Sequence, residues 1–416
     1  MFWPLLPEER ERNRDMAVSS ARDKLVIDPK SIQGLKYFSA LSSLLERLHD
    51  VGTARDKAGN RDLFCDQYVS LMLLYFFNPT LTSLRGIQAA SQLQKVQKTL
   101  GCRPTSLGSF SEASRVFDAE SLQPILAELA ARLKPLAAGG HSREAELLAG
   151  LTAVDGTLLP ALPKMFWALW NYEHKKAAKL HLHFVGLFGE VFSAAPVRAE
   201  ITAGQGCEKK SLRRMLEAGR FYVFDRGYEK FQLFQDIVDA NSSFVGSVRG
   251  QMTWTVLHER QLSDEARQAG VVFDAEVNLG GQKAEGLLTQ PYRVVIVERS
   301  TSRPGKDTRL VLVTNRMDLA AEMIALAYRY RWQIELFFRW LKCILGCKHL
   351  LSTSQNGVAL QVYTALIASL LITLWTSRKP TKRTYEMLCL YFQGWASLDE
   401  LTAHVNKLKA LDQLHS

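Results

Sequence analysis

LLAGLTAVD (Leu147–Asp155) runs apolar into a single acid, and FYVFD (Phe221–Asp225) repeats the pattern further along the chain. Short apolar runs bounded by turn residues read as buried strands, and here Gly156 follows the first run and Arg226-Gly227 the second. Two strands that each end in Asp place carboxylates where the chain leaves a sheet, the edge at which open α/β folds bind ligands. KLHLHF (Lys179–Phe184) alternates, with Leu180, Leu182 and Phe184 on one side, and FVGSV (Phe244–Val248) is a further strand candidate. Strands separated by helical stretches indicate a mixed α/β core.

Upstream, residues 1–150 read as mainly helical. Phe38 to Leu48 and Gln67 to Phe77 are dense in apolar residues, and Asn78-Pro79 punctuates the second run. Leu81 to Leu100 is amphipathic and stops at Gly101, a helix C-cap; Pro104 and Gly108 follow before Ser111 opens another helix. That succession suits a helix-turn-helix DNA reader and equally suits a helical bundle. Pro135 to Ser142, rich in Ala and Gly, reads as a linker. Downstream, Met252 to Val313 holds short strands, Gly280-Gly281 and Pro304-Gly305, a β-rich insertion; after Asn315 the chain is helical to its end. The organisation is therefore a helical region over 1–145, an α/β core over 146–250 and 314–376, the insertion over 251–313, and helices over 377–416.

The composition, 416 residues with 47% hydrophobic and 23% charged, excludes a disordered tail, a collagen-like fibre and a small disulfide scaffold. Lys+Arg 52 against Asp+Glu 42 gives +10, of which 1–150 carries +2, 151–250 +3, 251–320 zero and 321–416 +5. Such an excess points to an anionic partner. Six dispersed cysteines (Cys65, Cys102, Cys207, Cys343, Cys347, Cys389) fit a reduced cytosolic protein. Cys343-x3-Cys347-x-His349 approaches metal-ligand spacing but has no partner pair, leaving zinc or ordinary packing thiols as its readings. Met1 to Arg10 lacks the pattern of a signal peptide. Val362 to Trp375, the most apolar stretch, is shorter than the about 20 residues a bilayer span needs, so a buried core helix is expected and no membrane.

A third acid comes from a helix over Ala321 to Leu345. Tyr328, Arg331, Glu335 and Lys342 fall within about 60° of one another at roughly 100° per residue, one narrow face. Tyr330, Ile334, Phe337, Leu341 and Ile344 form the opposite, core-facing side. Three carboxylates brought together repel unless divalent cations sit between them, and Mg²⁺ prefers such oxygen donors. Two metals can activate a hydroxyl and stabilise the leaving oxygen in phosphodiester cleavage. Arg331 and Lys342 would hold phosphates.

The chain resembles bacterial insertion-sequence transposases of the DDE class, whose Y-x2-R-x3-E-x6-K signature stands complete as Tyr328, Arg331, Glu335 and Lys342. Asp225-Arg-Gly-Tyr228 resembles that group's second acid motif and Asp155-Gly-Thr its first; residues about 150–375 match in order and spacing. The resemblance implies an RNase H-like catalytic core with a β-rich insertion between the second Asp and the Glu. It implies that Asp155, Asp225 and Glu335 bind two Mg²⁺ ions (Mn²⁺ substituting), nick the element end and join the freed 3′-hydroxyl to target DNA. Tyr328, Arg331 and Lys342 are then placed at the cleaved end, with Arg226 and Tyr228 of the second motif beside them and Trp254 of the insertion as the candidate against a flipped base. The implied partners are double-stranded DNA, as terminal inverted repeats and target, and a second copy in a homodimer, in the bacterial cytoplasm.

Other readings stay open at this stage. Asp155 and Asp225 could be turn residues, and Glu335 could pair with Arg331 or Arg339 at i±4. His181 and His183 could ligate a metal, face solvent or line a cleft. Trp332 either stacks on a base or wedges the helix against the core. Lys175-Lys176, Lys209-Lys210 and Arg213-Arg214 are solvated or track a DNA backbone. The whole could also be a domesticated or inactive transposase acting only as a DNA-binding protein, or a metal-dependent nuclease that never joins ends.

Overall fold

The computed structural model describes residues 41, 44–53, 61–133, 151–169, 176–187, 193–281, 286–298, 309–343, 346–347, 349–378 and 380–413. The expected linker over 135–142, the Pro304-Gly305 turn and the start of the 38–48 helix lie outside them, as do Lys175, Ile344 and the side chain of Cys343.

Nine strands form one sheet in the order β3-β2-β1-β4-β5-β9-β8-β7-β6. The first five are β1 (Leu151–Pro160), β2 (Ala177–Leu187), β3 (Ser193–Ala203), β4 (Phe221–Phe224) and β5 (Ser243–Val248). β1 runs parallel to β4 and β4 to β5, while β2 and β3 are antiparallel additions on the other side of β1. The β-rich stretch supplies β6 (Trp254–Glu259), β7 (Val271–Leu279), β8 (Tyr292–Glu298) and β9 (Arg309–Thr314). It extends the same sheet, because β9 pairs antiparallel with β5 and covers a strand edge that would otherwise be left unpaired.

β4 shows why the centre of the sheet is covered on both faces. Tyr222 and Phe224 pack with Leu233, Phe234 and Ile237 of one helix, Phe231–Asp239, while Phe221 and Val223 pack with Ile324 and Ala327 of another, Ala321–Tyr330. With a side-chain period of two and apolar residues at every position, neither face of β4 tolerates water.

In chain order the helices are α1 (Cys65–Phe77), α2 (Leu84–Ser91), α3 (Gln94–Leu100), α4 (Leu107–Val116), α5 (Gln123–Arg132), α6 (Glu208–Arg214), α7 (Phe231–Asp239), α8 (Asp264–Gln268), α9 (Ala321–Tyr330), α10 (Trp332–Cys343), α11 (Gln355–Thr376), α12 (Lys382–Phe392) and α13 (Leu398–Gln413). The amphipathic run from Leu81 is thus two helices, and Gly101 caps the second in the left-handed region at φ 61°. α4 starts earlier than Ser111 because Ser106 caps it, its Oγ accepting from Ser109 N at 3.0 Å. α1, α4 and α5 share one apolar core with β2, β3, α10 and α11.

α11 has 22 residues, more than the apolar run that suggested it, so length no longer excludes a membrane span. Burial decides instead: 94% of its most apolar window lies inside the molecule, the setting of a core helix. Its polar side chains are satisfied there. Gln361 accepts from Leu351 N and donates to His349 O, both at 2.8 Å, and Thr364 and Thr373 donate to carbonyls one turn back. Cys65, Cys102, Cys347 and Cys389 are buried and Cys207 is exposed.

Candidate active site

Ala153 of β1 lies opposite Val223 of β4, so two residues further on Asp155 and Asp225 stand at the same level of adjacent parallel strands. Asp225 does end its strand: it N-caps a 3-10 turn, Arg226–Tyr228, with Oδ1 accepting from Gly227 N at 2.7 Å. Asp155 does not. β1 continues to Pro160 because β2 pairs along that whole stretch, Leu182 opposite Asp155 and His181 opposite Gly156. Asp-Gly is here part of a ladder, and Asp155 Oδ1 accepts from Gly156 N at 2.7 Å.

The helix expected over Ala321 to Leu345 is broken at Arg331. Arg331 N bonds to Tyr328 O at 3.1 Å and Ile334 N to Arg331 O at 3.2 Å, the tighter i−3 pattern of a 3-10 turn. The break splits the single face. Arg331, Glu335 and Lys342 turn to β1: Arg331 Nη2 lies 2.6 Å from Glu335 Oε1, its Nη1 lies 3.8 Å from Asp155 Oδ2, and Lys342 Nζ donates to Thr157 Oγ1 at 2.9 Å. Of the two i±4 partners open to Glu335, Arg331 holds it. Tyr328 goes elsewhere, buried under the sheet with its hydroxyl donating to Ser247 Oγ of β5 at 2.8 Å. Ile334, Phe337 and Leu341 face the core as expected.

Between β1 and α10 lies a cleft of about 550 Å³, lined by Asp155, Gly156, Thr157, Glu335, Arg339 and Lys342, with Leu158, Pro160 and Phe338 as its apolar wall. Burial pushes the Asp155 carboxyl up to about 7, aided by the charges of Asp225 and Glu208 and opposed by the Gly156 N–H and Arg331. Arg331 is held above its ordinary value: burial works against its charge, but Tyr328, Glu335 and Asp155 together outweigh it.

The residues expected to contact DNA differ in exposure. Tyr228 is a core residue, 2% exposed and packed 5.5 Å from the Phe224 ring. Tyr328 is likewise buried, its hydroxyl already bonded. Trp332 does not wedge against the core; it is 46% exposed beside Arg331. Trp254 is half-buried at the first position of edge strand β6, and Arg226 is exposed. His181 and His183 neither face solvent nor line the cleft. Both are buried, and burial lowers them to about 4 and about 3, leaving neutral rings, with His181 Nε2 2.8 Å from Thr202 Oγ1. Arg213 and Arg214 are engaged by Asp236 and Glu200, each at 2.6 Å. Among the described residues no three His, Cys, Asp or Glu side chains are gathered, as they stand, in a way that would hold a metal ion.

One carboxylate beside the candidate site was not legible in advance. Glu208, the first residue of α6, brings a further carboxylate beside Asp155 and Asp225, held by Lys179 Nζ at 3.3 Å. An acid in the first turn of a short helix is common, and no spacing rule singles this one out.

Residues 147–371 match the family described as Transposase DDE domain. A Sinorhizobium fredii protein named as transposase y4zB is 30% identical over 226 residues, 54% of this chain and 60% of that protein. A Geobacillus stearothermophilus protein named as the transposase for insertion sequence element IS5377 is 28% identical over 258 residues, 60% of this chain and 64% of its own length. A Synechocystis protein named as the transposase for element IS4SA is 24% identical over 331 residues, 78% of this chain and 88% of its own. The chain thus spans less than two thirds of the first two relatives and most of the third. With more than half of its residues matched, and Asp155, Asp225 and Glu335 all inside the matched region, the chain belongs to the transposase DDE domain family.

Proposed function

We propose that the chain is the DNA transposase of an insertion sequence, cleaving strands at the element's terminal inverted repeats and joining the freed 3′-hydroxyl to target DNA. One observation carries this reading: Asp155 and Asp225 stand level on parallel strands, with Glu335 tied to Asp155 through Arg331. The order β3-β2-β1-β4-β5, antiparallel and then parallel, supports an RNase H-like core, with β6 to β9 inserted before the helix that bears Glu335.

The donor set fits hard divalent cations. Every proposed ligand is a carboxylate oxygen, and the Arg331 guanidinium already stands as a cation between Asp155 and Glu335. Two Mg²⁺ ions, or Mn²⁺ in their place, held by Asp155, Asp225 and Glu335 would supply charge stabilisation to the attacking and leaving oxygens. Closing the three acids on them requires Arg331 to release Asp155, which frees its planar fork for a DNA phosphate. Lys342 and Arg339 line the same cleft as further phosphate partners, and the exposed Trp332 offers a ring on which a base stacks. Arg226 lies at the turn after Asp225 as another backbone contact, and Trp254 is the candidate for a flipped base. A homodimer would bring two element ends together.

Mg²⁺-dependent cleavage of a duplex carrying the element's terminal repeat tests the reading. Glu335→Gln removes several kcal/mol of transition-state stabilisation, about a thousandfold or more in rate. Undiminished cutting by that variant overturns the assignment of the acid, and repeat binding without strand transfer in Mg²⁺ or Mn²⁺ reduces the protein to a DNA-binding one.

A further inference from the structure

We infer that Glu208 is a fourth carboxylate of the cation site, an inference that rests on the metal-dependent reading above. Its carboxylate lies across both glycines that follow the acids. A Cβ at Gly156 would meet Glu208 Oε1 at 2.8 Å; one at Gly227 would meet Asp225 Oδ1 at 2.8 Å first, with Glu208 Oε2 at an ordinary contact distance of 3.4 Å. Gly156 therefore leaves room for this side chain, which lies beside Asp155 on one strand and within contact range of the turn after Asp225 on the next.

The charge balance around it matters as much as the space. Asp155, Asp225, Glu208 and Glu335 face two engaged cations, Arg331 on Asp155 and Glu335, and Lys179 on Glu208 at 3.3 Å. Lys179 is anchored on the loop entering α6, its Nζ donating to Gly206 O at 3.2 Å. A carboxylate whose task was only to hold Lys179 would gain nothing from standing beside two further acids, since like charges repel. A site that receives divalent cations gains from it. Glu208 also keeps access to what enters, with 27% of its side chain exposed. It is thus placed to give an oxygen to the cations held by the two aspartates.

The test is Mn²⁺ binding by the full chain, followed by calorimetry and by the electron paramagnetic resonance signal of the ion, with no DNA and no turnover. Glu208→Gln is expected to weaken Mn²⁺ binding by about tenfold to a hundredfold with an unchanged melting temperature. Glu208→Asp, which keeps the charge, should recover part of the loss, and Lys179→Met should leave binding intact or tighten it. Glu208→Gln binding Mn²⁺ as wild type does, while Asp155→Asn binds it poorly, overturns the role of Glu208 alone. Wild-type Mn²⁺ affinity in Asp155→Asn overturns the metal-site reading and this inference with it.

Discussion

Arg293 and Arg331 both meet carboxylates, and they do so in opposite ways. Arg293 of β8 is 2% exposed and Asp274 of β7 is 4% exposed; the pair is bidentate, with Nε to Oδ1 and Nη2 to Oδ2 both at 2.7 Å. Its remaining nitrogen donates to Leu319 O and Arg316 O, the segment that leads into α9. Arg331 makes one short contact, to Glu335, and one of 3.8 Å, to Asp155, while its buried Nε has no hydrogen-bond partner among the described residues. A buried ion pair offsets its desolvation only when geometry and hydrogen bonds are complete. The first pair meets that condition and fastens the added strands to the segment that leads into α9. The second does not, and the proposed function uses it as a contact to be exchanged.

The comparison breaks most directly at Asp274. Asp274→Ala leaves a guanidinium buried without its partner and is expected to cost about 3–5 kcal/mol in urea unfolding. Replacing both partners together, Asp274→Leu with Arg293→Met, should recover most of that loss, since it removes the uncompensated charge. A near-neutral Asp274→Ala would mean that the pair fastens nothing.

At Asp155 the opposite sign is expected. Its carboxyl ionises near 7 in the folded chain against an ordinary 3.8, so the unfolded chain releases this proton first. Below about 3.8 both states hold the proton and the residue costs nothing; between 3.8 and 7 the penalty on the folded state grows, and above 7 it is complete. At 1.36 kcal/mol per unit, it amounts to about 4 kcal/mol at most. Asp155→Asn should therefore gain stability over wild type as pH rises from 4 to 7, in melts run with a chelator present. Parallel pH curves for the two proteins would show that Asp155 is not short of a cation.

How much of this could be read from the chain depends on how local each cause is. Strand-to-acid runs at Asp155 and Asp225 are local patterns, as is the periodicity that places Arg331, Glu335 and Lys342 toward one strand. The burial of Tyr328 was not legible, because uniform 100° spacing takes no account of the 3-10 turn at Arg331 that aims it at Ser247. Tyr228 follows an acid as a DNA-facing residue would, yet Phe224 and Phe234 of the same core claim it. Glu208 and the Arg293–Asp274 pair depend on contacts between elements far apart in sequence, and nothing in their own neighbourhoods announces them.

Arg331→Lys sharpens the contrast from the exchangeable side. A lysine ammonium is a point donor and cannot span Asp155 and Glu335 as the planar fork does. Cleavage and terminal-repeat binding are expected to fall about tenfold to a hundredfold, while the melting temperature barely moves. A large loss of stability would instead place Arg331 with Arg293 as a fastener.

Lys342 gives the smallest and most specific effect. Its Nζ donates to a neutral hydroxyl, Thr157 Oγ1, at the wall of the cleft, so its charge is not neutralised there by that contact. Residues 321–416 carry half of the +10 net charge, and a cation of this kind gives that excess a local purpose. Lys342→Met keeps an apolar side chain of similar length, so stability should change by about 0.5 kcal/mol or less. DNA binding should weaken nearly equally for repeat and unrelated duplexes, and the slope of log affinity against log salt should drop by about one. Fluorescence anisotropy across a salt series reads both quantities. An unchanged slope would mean that Lys342 serves the cleft wall through its stem and holds no phosphate.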